Sequence, residues 1–168
     1  MIKKSTSLKT ILRLGKKCKQ CGHCCSHGSG FILKDEIKKI AKKFKIEDKD
    51  FIRKYLKKTV VFNTPVYKFR TKKSDKPYGE CIFLEENKCR IQSVKPLHCR
   101  IGNCNEHGEE LSAWFTVNYL VNKADPESIR QFNLYIKSGG KIIPGGKLQD
   151  LVSDKKILKK ILNYQILK

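Results

Sequence analysis

No run of apolar residues in this 168-residue chain approaches the roughly 20 that a bilayer-spanning helix needs, so a membrane span is not expected. Leu8–Leu14 is too short, and too interrupted by Lys9 and Arg13, to serve as a signal-peptide core. The cytoplasm is therefore the expected location. Negative charge is scarce: 16 Asp and Glu face 37 Lys and Arg, for a net charge of +21. Arginine and aromatic residues are sparse among the lysines, which argues against a reader of specific nucleic-acid sequence. No Ser/His/Asp triad, phosphate-binding glycine loop or paired-carboxylate site can be picked out. Glycines 139–146 are not preceded by a strand signal, so no nucleotide-type methyl-donor pocket is expected there. No cysteine follows Cys104.

The cysteines that are present lie close together. Cys18, Cys21, Cys24 and Cys25 fall within eight residues, and Cys81, Cys89, Cys99 and Cys104 follow. In a reducing compartment, eight thiols at such spacings point to metal ligation rather than disulfides. Thiolates are strong ligands for zinc and for iron–sulfur clusters. Each Cys-x-x-Cys step brings two sulfurs to the same side of a tight turn. Cys24 and Cys25 are adjacent, and neighbouring side chains diverge. Either they serve two sites or one of them is not a direct ligand. Eight cysteines equal two four-thiol sites, or one site with reserve thiols. His23, His27 and His98 flank the cysteine loops as alternative ligands or as hydrogen-bonding partners. Arg100 follows Cys99 directly and is the candidate to offset thiolate or cluster charge.

The positive charge is uneven. Residues 1–80 hold 23 Lys and Arg against 7 Asp and Glu, whereas residues 81–130 hold 6 against 7. Two readings compete for this basic half: a docking face for RNA, DNA or an acidic protein, and a solvated lysine-rich surface.

Local patterns suggest a small α+β protein, rich in helix, with short strands and two cysteine loops around a metal site. Residues 1–17 read as a basic lead-in, 18–125 as a cysteine-cluster metal-binding domain, and 126–168 as a helical extension packed on it. Helical periodicity marks Phe31–Phe44 and Asp48–Lys57. Thr59–Arg70 is β-branched and aromatic around Asn63-Thr64-Pro65, a hairpin pattern. Cys81–Leu84 reads as a buried strand, returned by a turn at Glu85–Lys88. Glu109–Asn122 reads as a helix, and Asp125-Pro126 opens another that runs to about Lys137. A basic amphipathic helix is expected over Leu148–Leu167.

The ordered string Cys18-x-x-Cys21-Gly-x-Cys24-Cys25, Cys81-x-Phe83-Leu84, Cys89-x-Ile91 and Lys95-Pro96-x-x-Cys99-Arg100 resembles the YkgJ-type cysteine-cluster family, described as zinc- or iron-chelating. The likeness covers about residues 15–104. It departs at Lys95, where that family commonly has Arg, and at Gly102-Asn103. It implies a cofactor that is either an iron–sulfur cluster, of 4Fe-4S type, or zinc. A flagellin lysine N-methylase has a similar cysteine pattern, which implies an accessory role in protein lysine methylation as a further alternative. The first functional expectation is an iron–sulfur protein with a redox or cluster-handling role and a redox partner protein. The second is a zinc module, without enzymatic activity, whose basic face docks on RNA or an acidic protein.

Overall fold

The computed structural model describes residues 1–165. Its architecture is mixed α+β, with more helix than strand. The elements run α1 (Leu8–Gly15), α2 (His23–Ser26), β1 (Phe31–Ile32), α3 (Lys34–Lys43), α4 (Asp48–Tyr55), β2 (Leu56–Val61) and β3 (Thr64–Phe69). They continue with β4 (Leu84–Glu85), β5 (Lys88–Cys89), α5 (Leu97–Ile101), α6 (Gly108–Phe115), α7 (Pro126–Lys137), α8 (Leu148–Leu151) and α9 (Lys155–Leu162).

The expected hairpin supplies two strands of a three-stranded antiparallel sheet in the order β1-β3-β2, with β3 at its centre and Val61 opposite Thr64 at the hairpin's closed end. The turn is Phe62-Asn63, one residue earlier than the Asn-Thr-Pro pattern suggests. Both residues have positive φ, 47° and 56°, as a tight two-residue hairpin requires. Phe62 is bulky for this backbone. Its ring packs edge-on against Phe132 and Tyr135 of α7, at 5.4 and 5.5 Å between centroids. Asn63 donates to the Asp125 carboxylate at 2.7 Å, and Asp125 also caps α7 by accepting from Glu127 N. The hairpin tip thus ties the sheet to the C-terminal helices.

Several expected elements are redrawn. Phe31–Ile32 pairs with β3 as strand, so α3 begins only at Lys34. The helix expected to end at Lys57 gives way at Leu56, whose backbone joins β2. Cys81 makes only an isolated bridge to Thr71, and strand pairing is confined to Leu84–Glu85 against Lys88–Cys89. The helix expected over Glu109–Asn122 begins at Gly108 as α6 and continues through a wider, π-type turn, Thr116–Leu120. The expected final helix is two helices. Asp154 accepts from Lys156 N and Ile157 N and so starts α9 afresh. Positions 166 and 167 of that expected helix lie outside the described residues.

Two apolar clusters hold these elements. One gathers Ile2 and Ile11 from the N-terminal arm with Trp114, Phe115, Phe132, Ile143 and Leu158. The other, built from Ile32, Ile40, Phe51, Phe69, Phe83 and Ile91, backs the cysteine loops.

Candidate metal centre

All eight cysteines line one cavity of about 400 Å³. They arrive from separate parts of the chain. Cys18 and Cys21 lie between α1 and α2, Cys24 and Cys25 sit on α2, Cys89 ends β5, Cys99 lies on α5, and Cys104 follows it. The remaining wall is largely apolar, from Phe69, Phe83, Leu84 and Ile91, with Lys88 and Lys95 as its cations. Among the described residues, no three His, Cys, Asp or Glu side chains stand where one ion could bind them together. What the fold assembles is a ring of thiols rather than a tight knuckle.

Main-chain hydrogen bonds set the ring. Cys81 N donates to Cys25 O at 2.8 Å, joining the first cysteine loop to the second. Leu84 N donates to Cys81 O at 2.9 Å, and Arg90 N to Phe83 O at 2.9 Å, which folds Cys89 back beside Cys81. Glu36 accepts from Leu97 N at 2.6 Å and from Leu33 N at 3.0 Å. One carboxylate thereby satisfies free N–H donors at the starts of both α5 and α3. At Gly30 a side chain would overlap the Cys99 sulfur, so the absent Cβ is what lets that loop close over α5. Gly22, at φ 74°, turns the chain into α2.

The thiols are not equivalent. Cys21, Cys24 and Cys104 are exposed, Cys18, Cys25, Cys89 and Cys99 are half-buried, and Cys81 is buried. A hydrogen bond from the Cys25 thiol holds Cys24 down near pKa 6, despite partial burial, while Cys25 is pushed far up as the proton's holder. The pair gives up one proton readily and the second with difficulty. Burial pushes Cys99 up to about 12, with Cys81 and Cys89 adding to it, and burial likewise raises Cys81. As free thiols these inner groups stay protonated at neutral pH, and binding a metal there must release their protons.

Arg100 is exposed and does not line the cavity. On a helix, consecutive side chains point about 100° apart, so with Cys99 facing the cavity Arg100 faces away. Of the two cations in the wall, Lys95 favours the thiolate forms of Cys24, Cys81 and Cys99. Its only trace in the sequence is its place before Pro96 in the fourth motif. His98 lines the cavity, but its Nδ1 accepts from Phe31 N at 3.1 Å, which commits that nitrogen to the backbone. Its ring lies between Phe31 and Phe115, and burial lowers its pKa to about 4, so it is neutral at pH 7. His23 and His27 are exposed, meet at a tilt with 4.8 Å between ring centroids and lie outside the cavity wall.

Comparison with known proteins points to a metal-chelating domain. The family model CxxCxxCC, described as "Putative zinc- or iron-chelating domain", matches residues 17–118, the stretch that contains every cysteine. An uncharacterized protein of Methanocaldococcus jannaschii is 31% identical over 86 residues, covering 50% of this chain and 42% of the relative. The chain thus matches less than half the length of that relative. No solved structure matches.

Proposed function

This chain belongs to the CxxCxxCC family of metal-chelating domains, and from that premise we propose that it is an iron–sulfur-cluster-binding protein with a redox or cluster-handling role. One observation carries the reading: eight thiols around a single cavity of about 400 Å³. A tetrahedral zinc ion with Zn–S bonds of about 2.3 Å draws four sulfurs to roughly 3.8 Å of one another. A cluster spreads its thiolates more widely and suits a ring. The residues fit such a group chemically. Thiolates supply the ligands, Phe69, Phe83 and Ile91 exclude water, and Lys88 and Lys95 offset negative charge. When bound, a cluster would supply one-electron chemistry, and the exposed Cys21, Cys24 and Cys104 mark the side open to a redox partner protein.

A second reading, a zinc module docking on RNA or an acidic protein, draws on the exposed lysines of α3 (Lys34, Lys38, Lys39, Lys42 and Lys43). Metal and acid-labile sulfide content of anaerobically purified protein, with its visible spectrum, separates the two. Iron and sulfide with broad charge-transfer absorption is the expected result. Zinc without sulfide would overturn the first reading, and RNA affinity falling steeply with salt would then support the second.

A further inference from the structure

We propose that the eight thiols form two four-thiol sites: an inner one of Cys25, Cys81, Cys89 and Cys99, and an outer one of Cys18, Cys21, Cys24 and Cys104. The proposal rests on the metal-binding reading of the cavity and says which thiols act together.

The division follows from packing. Cys25, Cys81, Cys89 and Cys99 all belong to or touch the apolar cluster of Ile32, Ile40, Phe51, Phe69 and Phe83, and the other four do not. The inner four come from four separate segments held edge to edge. Cys81 bonds through its backbone to Cys25, Leu84 bonds to Cys81 and pairs with Cys89, and Cys99 seats its sulfur against Gly30, five residues after Cys25. Nothing in their sequence spacing groups them. Only the fold does.

The outer four are grouped by different means. Cys18, Cys21 and Cys24 are two consecutive Cys-x-x-Cys steps, each able to bring its sulfurs to one side of a turn. Gln20 N points at Cys18 Sγ at 3.4 Å, as a loop wrapped on a thiolate would. Cys104 comes from elsewhere but is anchored to the same arm. Asn105 Nδ2 donates to Lys17 O, and Lys17 Nζ pairs with Glu106 at 3.2 Å. These two ties hold the chain before Cys18 to the chain after Cys104.

Cys24 and Cys25 are the seam. Successive residues on the α2 turn, their thiols touch one another, yet Cys24 is exposed while Cys25 is half-buried against the apolar cluster. Adjacent cysteines, awkward as ligands of one ion, are well placed to belong to neighbouring sites. The inner site sits on apolar packing and the outer one at the mouth, so the outer metal should exchange first.

The test counts metal per chain by native mass spectrometry on anaerobically purified protein, for the wild type and for Cys21→Ser, Cys104→Ser, the double variant and Cys89→Ser. Cys21→Ser and Cys104→Ser should each lose the same metal pool and keep the other, and the double variant should lose no more than either. Cys89→Ser should lose the complementary pool. Cys21 and Cys104 are exposed and lie outside both apolar clusters, and a circular dichroism spectrum of each variant separates loss of metal from loss of fold. In a chelator time course with pulsed alkylation, metal should leave in two phases, with Cys18, Cys21, Cys24 and Cys104 labelled in the first. Loss of all metal from Cys104→Ser, or greater loss in the double variant, would overturn the partition. Zinc in both pools would defeat the iron–sulfur reading and leave the partition standing.

Discussion

At the scale of single residues, the cavity depends on an atom that is missing. Gly30 lies so close to the Cys99 sulfur that a methyl group cannot be added without moving one of them. Overpacking of this kind typically costs about 1–3 kcal/mol. Gly30→Ala should therefore lower the melting temperature and weaken metal retention together, measured by thermal denaturation and metal content of the purified variant. A variant that keeps both would show that the loop has room to shift. The same scale explains a misplaced expectation. Arg100 stands next to Cys99 in sequence, but on α5 adjacency means divergence, and the cations at the cavity are Lys88 and Lys95. Sequence spacing identified all eight thiols of the wall. It flagged His98 but not what Lys95 and Gly30 do, because these two reach the cavity through contacts between elements.

At the scale of elements, Glu36 is the joint between α3 and α5. Removing its carboxylate leaves Leu97 N and Leu33 N without their partner, so Glu36→Ala should cost about 1–3 kcal/mol in denaturant unfolding. Burial raises the pKa of Glu36 above its ordinary 4.5. The folded chain therefore holds this proton more tightly than the unfolded chain, and stability from this group falls as pH rises from below 4.5 through the raised value. Glu36→Gln abolishes that dependence. The stability of wild type minus Glu36→Gln should be most favourable below pH 4.5 and decline as pH rises through the raised value, read from denaturation curves at each pH. A difference flat with pH would show that the carboxylate titrates as in the unfolded chain. Elements with strong local signals were legible in the sequence: the β2–β3 hairpin from its β-branched run and α7 from Asp125-Pro126. Others were decided by partners distant in sequence. Phe31–Ile32 continues a helical pattern, yet β3 claims it as strand. The long C-terminal periodicity hid the capping aspartate, Asp154, that divides it.

At the scale of the whole molecule, the two apolar clusters depend on metal to different degrees. The cluster around Phe51, Phe69 and Phe83 adjoins four half-buried or buried thiols, whereas the cluster of Trp114, Phe132, Ile143 and Leu158 contains none. Metal removal should therefore loosen the molecule unevenly. After chelation under reducing conditions, hydrogen exchange should speed up in β4, β5 and the Cys18–Gly30 loop while α7 and α9 keep their protection. Uniform loss of protection would mean that the metal holds both clusters. The basic surface is likewise a property of the whole. Its charge is concentrated in residues 1–80, away from the near-neutral stretch 81–130 that supplies Cys81, Cys89, Cys99 and Cys104.

The N-terminal arm sets a clock on assembly. Lys4 N bonds to Pro144 O at 2.8 Å, Trp114 Nε1 donates to Thr6 O at 3.2 Å, and Ile2 and Ile11 are buried among side chains from beyond residue 100. The partners that seat the arm, and with it Cys18, are thus made long after it. At a synthesis rate of about 5–20 residues per second, that delay is on the order of ten seconds. For that interval Cys18 lacks the packing that seats its arm, whereas Cys25 already has its partners among residues 32–91. An early-made part of the centre is thus seated late, and its exposed thiols face metal and oxidant before the arm is in place.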